Sequence, residues 1–141
     1  GTACFTADHV MGWASSLVSP PDGDLTDFMA SCERLQARNW RVFYPGHGAP
    51  VTDPAARLDW LVTHRRARET AILTLLADAP ATAPDLARTI YTTTPPALLG
   101  AATRNVLAHL IDLHGRGHVT HAGALQENAI FSLSPASENF Y

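Results

Sequence analysis

The chain has no lysine: all ten of its basic residues are arginine. Set against thirteen acids, they leave a net charge of -3. That balance excludes a general electrostatic pull toward nucleic acid or anionic lipid. Together with the abundant alanine, the missing lysine reads as codon bias of a GC-rich genome and not as function. Cysteine is also scarce. Cys4 and Cys32 cannot build a disulfide framework, and their spacing is not that of a metal site. Both stand among apolar neighbours and read as small buried hydrophobes. No apolar run approaches the roughly 20 residues of a membrane helix, so no membrane partner is expected. A basic start with an apolar middle, the mark of a signal peptide, is missing too, and the expected location is cytoplasmic. The chain opens directly in strand-like sequence, which leads us to expect its natural start upstream.

What is present describes a globular protein. Hydrophobic residues make up 46% of the 141 and charged residues 16%. The length suits one ordinary domain or two small ones. Residues 2–7 read as a strand. Residues 8–24 form a loop whose turn chemistry is Ser19-Pro20-Pro21-Asp22-Gly23-Asp24. Asp24 can cap a helix over 25–39, where Leu25, Phe28, Met29, Cys32 and Leu35 share one face. A short strand over 41–44 ends at Pro45-Gly46. Asp53-Pro54 pairs a cap with a first-turn proline and starts a helix running to about 78. Its apolar stripe is Leu58, Leu61, Val62, Arg65, Ile72, Leu75 and Leu76. The basic run His64-Arg65-Arg66-Ala67-Arg68 interrupts that stripe and reads as a solvated face with snorkelling arginines.

Ala79-Pro80-Ala81 breaks the pattern and marks an expected domain boundary. Beyond it the order is helix, helix, strand, turn, strand. Thr82 caps a short helix containing Leu86 and Ile90. A longer helix covers about 96–114, with Leu98, Leu99, Ala102, Val106, Leu107, Leu110, Ile111 and Leu113 inward, and Gly115 and Gly117 stop it. Strands over 118–122 and 129–133 alternate and are joined by a glycine-containing turn. This order is that of a small winged helix over 80–135. Residues 136–141 are set aside as a tail.

Two short motifs carry chemistry. Phe5-Thr6-Ala7-Asp8-His9-Val10-Met11-Gly12-Trp13 and Val42-Phe43-Tyr44-Pro45-Gly46-His47-Gly48 each run from an apolar stretch to a metal-capable side chain at a strand end. Alone, Asp8 could be a turn residue. His47 stands between two glycines that let the backbone bend tightly, so its ring projects from a loop. Together they offer a carboxylate and an imidazole on adjacent strand ends, a rigid frame on which ligands converge.

These two motifs, the Ser19–Asp24 loop and the downstream His64-Arg65-x-x-Arg68-Glu69 resemble the metallo-β-lactamase superfamily. Within it they resemble the lactamase-beta-2-like group, which adds a C-terminal winged helix. The resemblance spans essentially the whole chain. It implies an α/β fold, with residues 1–79 forming the second half of an αββα sandwich. It also implies a zinc-dependent hydrolase whose metal-bound hydroxide attacks an ester, thioester, lactone or phosphodiester. Asp8 matches the catalytic carboxylate that bridges two zinc ions, and His47 matches a terminal ligand of one of them. Two metals about 3.5–4 Å apart stabilise both nucleophile and developing oxyanion.

One departure from the family pattern is decisive: its His-x-His-x-Asp-His cluster and a further upstream histidine occur nowhere in the chain. A catalytic zinc site normally needs three protein ligands plus an open position. We therefore expect a C-terminal portion of a hydrolase, inactive alone, with zinc absent or only partly held. A missing N-terminal half or a second copy would complete it, because the strands at 2–7 and 41–44 leave edges that recruit another chain.

The remaining candidates are secondary. His9 follows Asp8 and could orient ligands or meet substrate. His64, Arg65 and Arg68 could pair with carboxylates or face an anionic substrate. Trp13, with Leu17 and Val18, would border the site and offer apolar contact to an acyl or aromatic group. His109 and His114 are spaced five apart and do not share a helix face, while His118 and His121 fall on opposite faces of a strand. A non-catalytic winged-helix module for interaction or nucleic-acid binding is the alternative reading, and relatives of this group do include ribonucleases. Against it, residues from 80 onward carry three arginines and four acids, with no clustered positive face.

Overall fold

The computed structural model describes residues 2–135; the tail expected over 136–141 lies outside the described residues. The chain divides into two compact units. One holds the segment ending at Ser16 together with Thr26–Arg66, the other Leu17–Leu25 and the chain from Ala67 onward.

In the first unit, β1 (Ala3–Ala7) and β2 (Val42–Pro45) pair in parallel, with α1 (Leu25–Gln36) as the crossover between them. Parallel neighbours require such a crossover, because a hairpin cannot reverse the chain twice. Ala3 pairs with Val42, Cys4 with Phe43 and Phe5 with Tyr44, and the register shifts between Phe5 and Ala7. Phe43 also bridges Val51 on its other side. The core comprises Val10, Cys32, Phe43, Val51, Leu58, Leu61 and Val62. Phe28 and Met29 reach it from α1, as the helical spacing requires.

The long helix α2 (Pro54–Asp78) begins where expected, with the Asp53 carboxylate accepting from the Ala56 amide at 3.1 Å. Arg65 departs from the solvated face read for its basic run. It is 3% exposed, donates to the Ser16 carbonyl and lies over the Phe28 ring at 5.1 Å. Its place on the apolar stripe put it on the buried side, where a carbonyl and a π face replace water for the guanidinium.

The second unit contains α3 (Ala83–Ile90), a 3₁₀ turn (Pro96–Leu98), α4 (Leu99–Gly115), and an antiparallel pair of β3 (Val119–Ala122) with β4 (Ile130–Leu133). Thr82 caps α3 by accepting from the Asp85 amide. The start of the longer helix differs from expectation. Pro96 keeps Pro95 extended, at ψ 143°, so the helix enters through a 3₁₀ turn closed by the Leu98 amide donating to the Pro95 carbonyl at 2.9 Å, and Leu98 is 57% exposed instead of inward. Its core is Ile72, Leu76, Leu86, Val106, Leu107, Leu110, Leu113, Val119 and Phe131 with neighbouring alanines. The loop from Leu17 joins this unit: the Val18 amide donates to Asn105 Oδ1 at 3.0 Å, and Arg104 Nε donates to Ser19 Oγ at 3.1 Å.

A candidate metal-ligand pair at the strand ends

Asp8 and His47 emerge one residue beyond β1 and two beyond β2. The backbone that delivers Asp8 is unusual. Ala7 is the one non-glycine residue with a positive φ among those described, at 47°. Such a conformation costs on the order of 1 kcal/mol or more and persists only where its surroundings impose it. Three hydrogen bonds do so. The Gly46 amide donates to the Ala7 carbonyl at 2.8 Å and the His9 amide to the Thr6 carbonyl at 2.9 Å. The buried Thr6 hydroxyl donates to the Val10 carbonyl at 2.8 Å.

The result is a close pair: His47 Nε2 lies 3.5 Å from Asp8 Oδ1, and both side chains are largely exposed, at 72% and 71%. Gly46 makes this approach possible, since a Cβ there would stand 2.8 Å from Asp8 Oδ1. Gly48 has φ 88°, and a Cβ on it would meet the Trp13 ring at 2.9 Å. Trp13 therefore lies against the residue that follows His47, with 68% of its surface open. On the same sheet Phe5 is 86% exposed and stands 5.5 Å from Tyr44, ring to ring.

Two residues that sequence reasoning missed hold the segment after Asp8. Arg57 Nε donates to the Met11 carbonyl at 2.6 Å and its Nη2 to the Ala14 carbonyl at 2.7 Å. Its guanidinium lies 4.4 Å over the Trp60 ring, and burial lowers its pKa. The Ser16 hydroxyl reaches the Asp8 and His9 carbonyls. For Arg57 the signal was the i, i+3 spacing to Trp60 on the helix surface. Ser16 had no such signal, because a hydroxyl in a loop can turn toward many carbonyls.

The other candidates stand apart from the pair. The His9 ring packs edge-on against Phe28 at 4.8 Å, and burial first, then Arg34, lowers its pKa. His64 stacks on Trp60 at 4.9 Å with planes 8° apart. Arg68 lies over Tyr91 at 4.6 Å. Val18, expected to border a site, is 4% exposed and belongs to a core; Leu17 is 56% exposed. Cys32 is buried as expected, and burial pushes its thiol up to about 11, whereas Cys4 is only half-buried.

Two donors on one tetrahedral zinc, each about 2.0–2.1 Å from it, stand about 3.3 Å apart. The Asp8–His47 separation fits that edge, and both are ordinary zinc donors. They do not fit a complete site. Among the described residues no group of three His, Cys, Asp or Glu side chains converges. Beyond residue 80 the described arginines are already engaged: Arg88 with Asp85, Arg104 with Glu127, and Arg116 with Glu69 and Asp112. That pairing leaves no cluster of unpaired arginines among those residues to grip phosphates.

Comparison with known proteins agrees with this architecture. Residues 82–127 match the family described as the Beta-lactamase associated winged helix domain. The Beta-lactamase-like protein 2 homolog of Drosophila melanogaster is 29% identical over 116 residues, covering 80% of this chain and 38% of that protein. The Atrochrysone carboxyl ACP thioesterase of Aspergillus fumigatus is 35% identical over 74 residues, covering 52% of this chain and 17% of that protein. A crystal structure of a metallo-beta-lactamase family protein from Thermus thermophilus superposes with a TM-score of 0.75 at 29% identity, covering 92% of this chain and 41% of that one. The chain thus spans less than half the length of these relatives. Its parallel strand pair, its winged helix and these likenesses together place it in the metallo-β-lactamase superfamily, in the branch that carries a C-terminal winged helix.

Proposed function

We propose that this chain is part of a hydrolase acting on an ester or thioester, with Asp8 and His47 at the reacting centre. The observation that carries the reading is their 3.5 Å approach on an exposed edge. A carboxylate and an imidazole held together in water, away from either core, serve no packing purpose. The local backbone strain at Ala7 serves the same approach, and strain of this kind clusters at functional sites. The thioesterase named among the relatives supports an acyl substrate.

A divalent metal bound there would supply Lewis-acid polarisation and lower the pKa of bound water. The chain's own residues do the rest. Asp8 and His47 offer one oxygen and one nitrogen to such an ion. Arg57 and Ser16 hold the segment that follows Asp8, so its carboxylate keeps its direction. Trp13, lying against Gly48, offers an apolar surface to the acyl part of a substrate. The remaining donors come from outside this chain, either from further sequence of the same protein or from a partner.

The test is a panel of chromogenic esters and acyl thioesters against the complete protein, unaltered and as Asp8→Asn and His47→Ala. Each substitution should lower kcat/KM by about 100-fold or more with the thermal midpoint unchanged, the loss expected when a group that stabilises the reacting centre is removed. Retained turnover in both variants would reject the assignment. After gel filtration, this chain alone should keep well under one zinc per molecule.

A further inference from the structure

Far along the chain from Asp8 and His47, two more imidazoles converge. His114 lies exposed in the last turn of α4, and His121 lies half-buried on β3, packed 6.0 Å from the buried Phe131 ring. Their ring centroids are 4.8 Å apart with planes 52° from each other. The turn between them explains the meeting. Gly117 has φ 80°, and the His118 amide donates back to the Leu113 carbonyl at 2.9 Å, so β3 returns beside the end of α4.

One nitrogen of the His121 ring is already engaged. Its Nδ1 sits 3.0 Å from the Gly123 carbonyl. A carbonyl only accepts, so Nδ1 carries the proton of that bond, and Nε2 of the neutral ring keeps its lone pair. Fixing one ring nitrogen to a carbonyl is how metal-binding histidines are oriented. The partial negative charge at the C-terminal end of α4 favours a cation beside His114. The 4.8 Å between the ring centres is close to the about 5.2 Å at which two imidazoles stand on one tetrahedral zinc with Zn–N of about 2.0–2.1 Å.

We propose that His114 and His121 form a two-imidazole clip for a nitrogen-preferring divalent ion of the zinc, nickel or copper kind. Asp112 is held by Arg116, and among the described residues no third donor joins the pair. The remaining coordination positions fall to water, so the ion is weakly held and exchangeable. Two borderline nitrogen donors select against magnesium and calcium.

The experiment uses the full 141-residue chain carrying Asp8→Ala and His47→Ala, so that the strand-end pair cannot account for binding. Zinc chloride, and magnesium chloride as the contrast, are titrated while the histidine ring carbon-bound proton signals are followed by NMR. The His114 and His121 signals should move together along one binding curve with zinc and stay still with magnesium. His114→Ala, a surface change that leaves the core intact, should weaken the His121 response by at least about tenfold, the loss that follows even when only a group orienting a ligand is removed, and His121→Ala should do the same to His114. The clip is overturned if the two rings respond with different midpoints, if His114→Ala leaves the His121 curve unchanged, or if millimolar zinc moves neither.

Discussion

Replacing Arg57 with alanine tests whether the segment after Asp8 is held from α2. The guanidinium makes two hydrogen bonds, 2.6 Å to the Met11 carbonyl and 2.7 Å to the Ala14 carbonyl, and stacks at 4.4 Å on Trp60. A hydrogen bond from a charged donor contributes about 1.5–3 kcal/mol, and an exposed cation–π contact about 0.5–1 kcal/mol. Arg57 is only half-buried, and water can replace part of what is lost, so these do not add fully. From these terms we expect a loss of about 3 kcal/mol in the alanine variant. For a chain of this size, each kcal/mol moves the thermal midpoint by about 3 °C, so the shift should be about 10 °C downward. Urea denaturation followed by circular dichroism measures the free-energy loss, and a thermal melt measures the shift. Lysine at the same position should recover less than half, because a point charge cannot span two carbonyls as the planar fork does. Limited proteolysis should show new cleavage within 10–16 before the rest of the chain opens. A loss below about 0.5 kcal/mol, the scatter of ordinary surface substitutions, or protection of that segment equal to the parent's, would refute the latch.

Gly46→Ala should separate stability from site geometry. The new Cβ would press on Asp8 Oδ1 at 2.8 Å, the mobile end of a side chain, so the thermal midpoint should change by less than about 3 °C while a crystal structure shows the Asp8–His47 distance growing beyond 3.5 Å. An unchanged distance would remove the role assigned to that glycine. His9 is held below its usual pKa by burial and by Arg34, so the unfolded chain takes up its proton first as pH falls. Unfolding free energy should therefore decrease as pH drops through about 6.5, and His9→Phe should flatten that part of the profile. Cys32 has its thiol pushed up to about 11, so at pH near 8 iodoacetamide should label Cys4 in the folded chain and Cys32 only after urea is added. The same shift should make stability fall as pH rises from about 9 toward 11, because the unfolded thiol ionises first.

Most elements were legible from local rules. Asp53-Pro54 starts α2, Thr82 caps α3, and the spacing of Phe28, Met29, Cys32 and Leu35 lays α1 on its core, because caps and helical periodicity act within a few residues. The strand ends that carry Asp8 and His47 could be read the same way. Other features depended on partners far away in sequence. Arg65 reads as a surface charge until Phe28 and the Ser16 carbonyl are seen to receive it. Leu98 reads as helix core until Pro95-Pro96 tightens the turn.

Residue order alone thus dictated which segments coil or extend and which side chains stand at their ends, since those preferences are settled between near neighbours. Folding in three dimensions decided which ends meet. The 3.5 Å between Asp8 and His47 follows from the β1–β2 register, its shift after Phe5 and the positive φ of Ala7. The 4.8 Å between His114 and His121 follows from the return of β3 past α4. Neither distance is encoded at one position, because each depends on packing between segments that only close once the cores beneath them form.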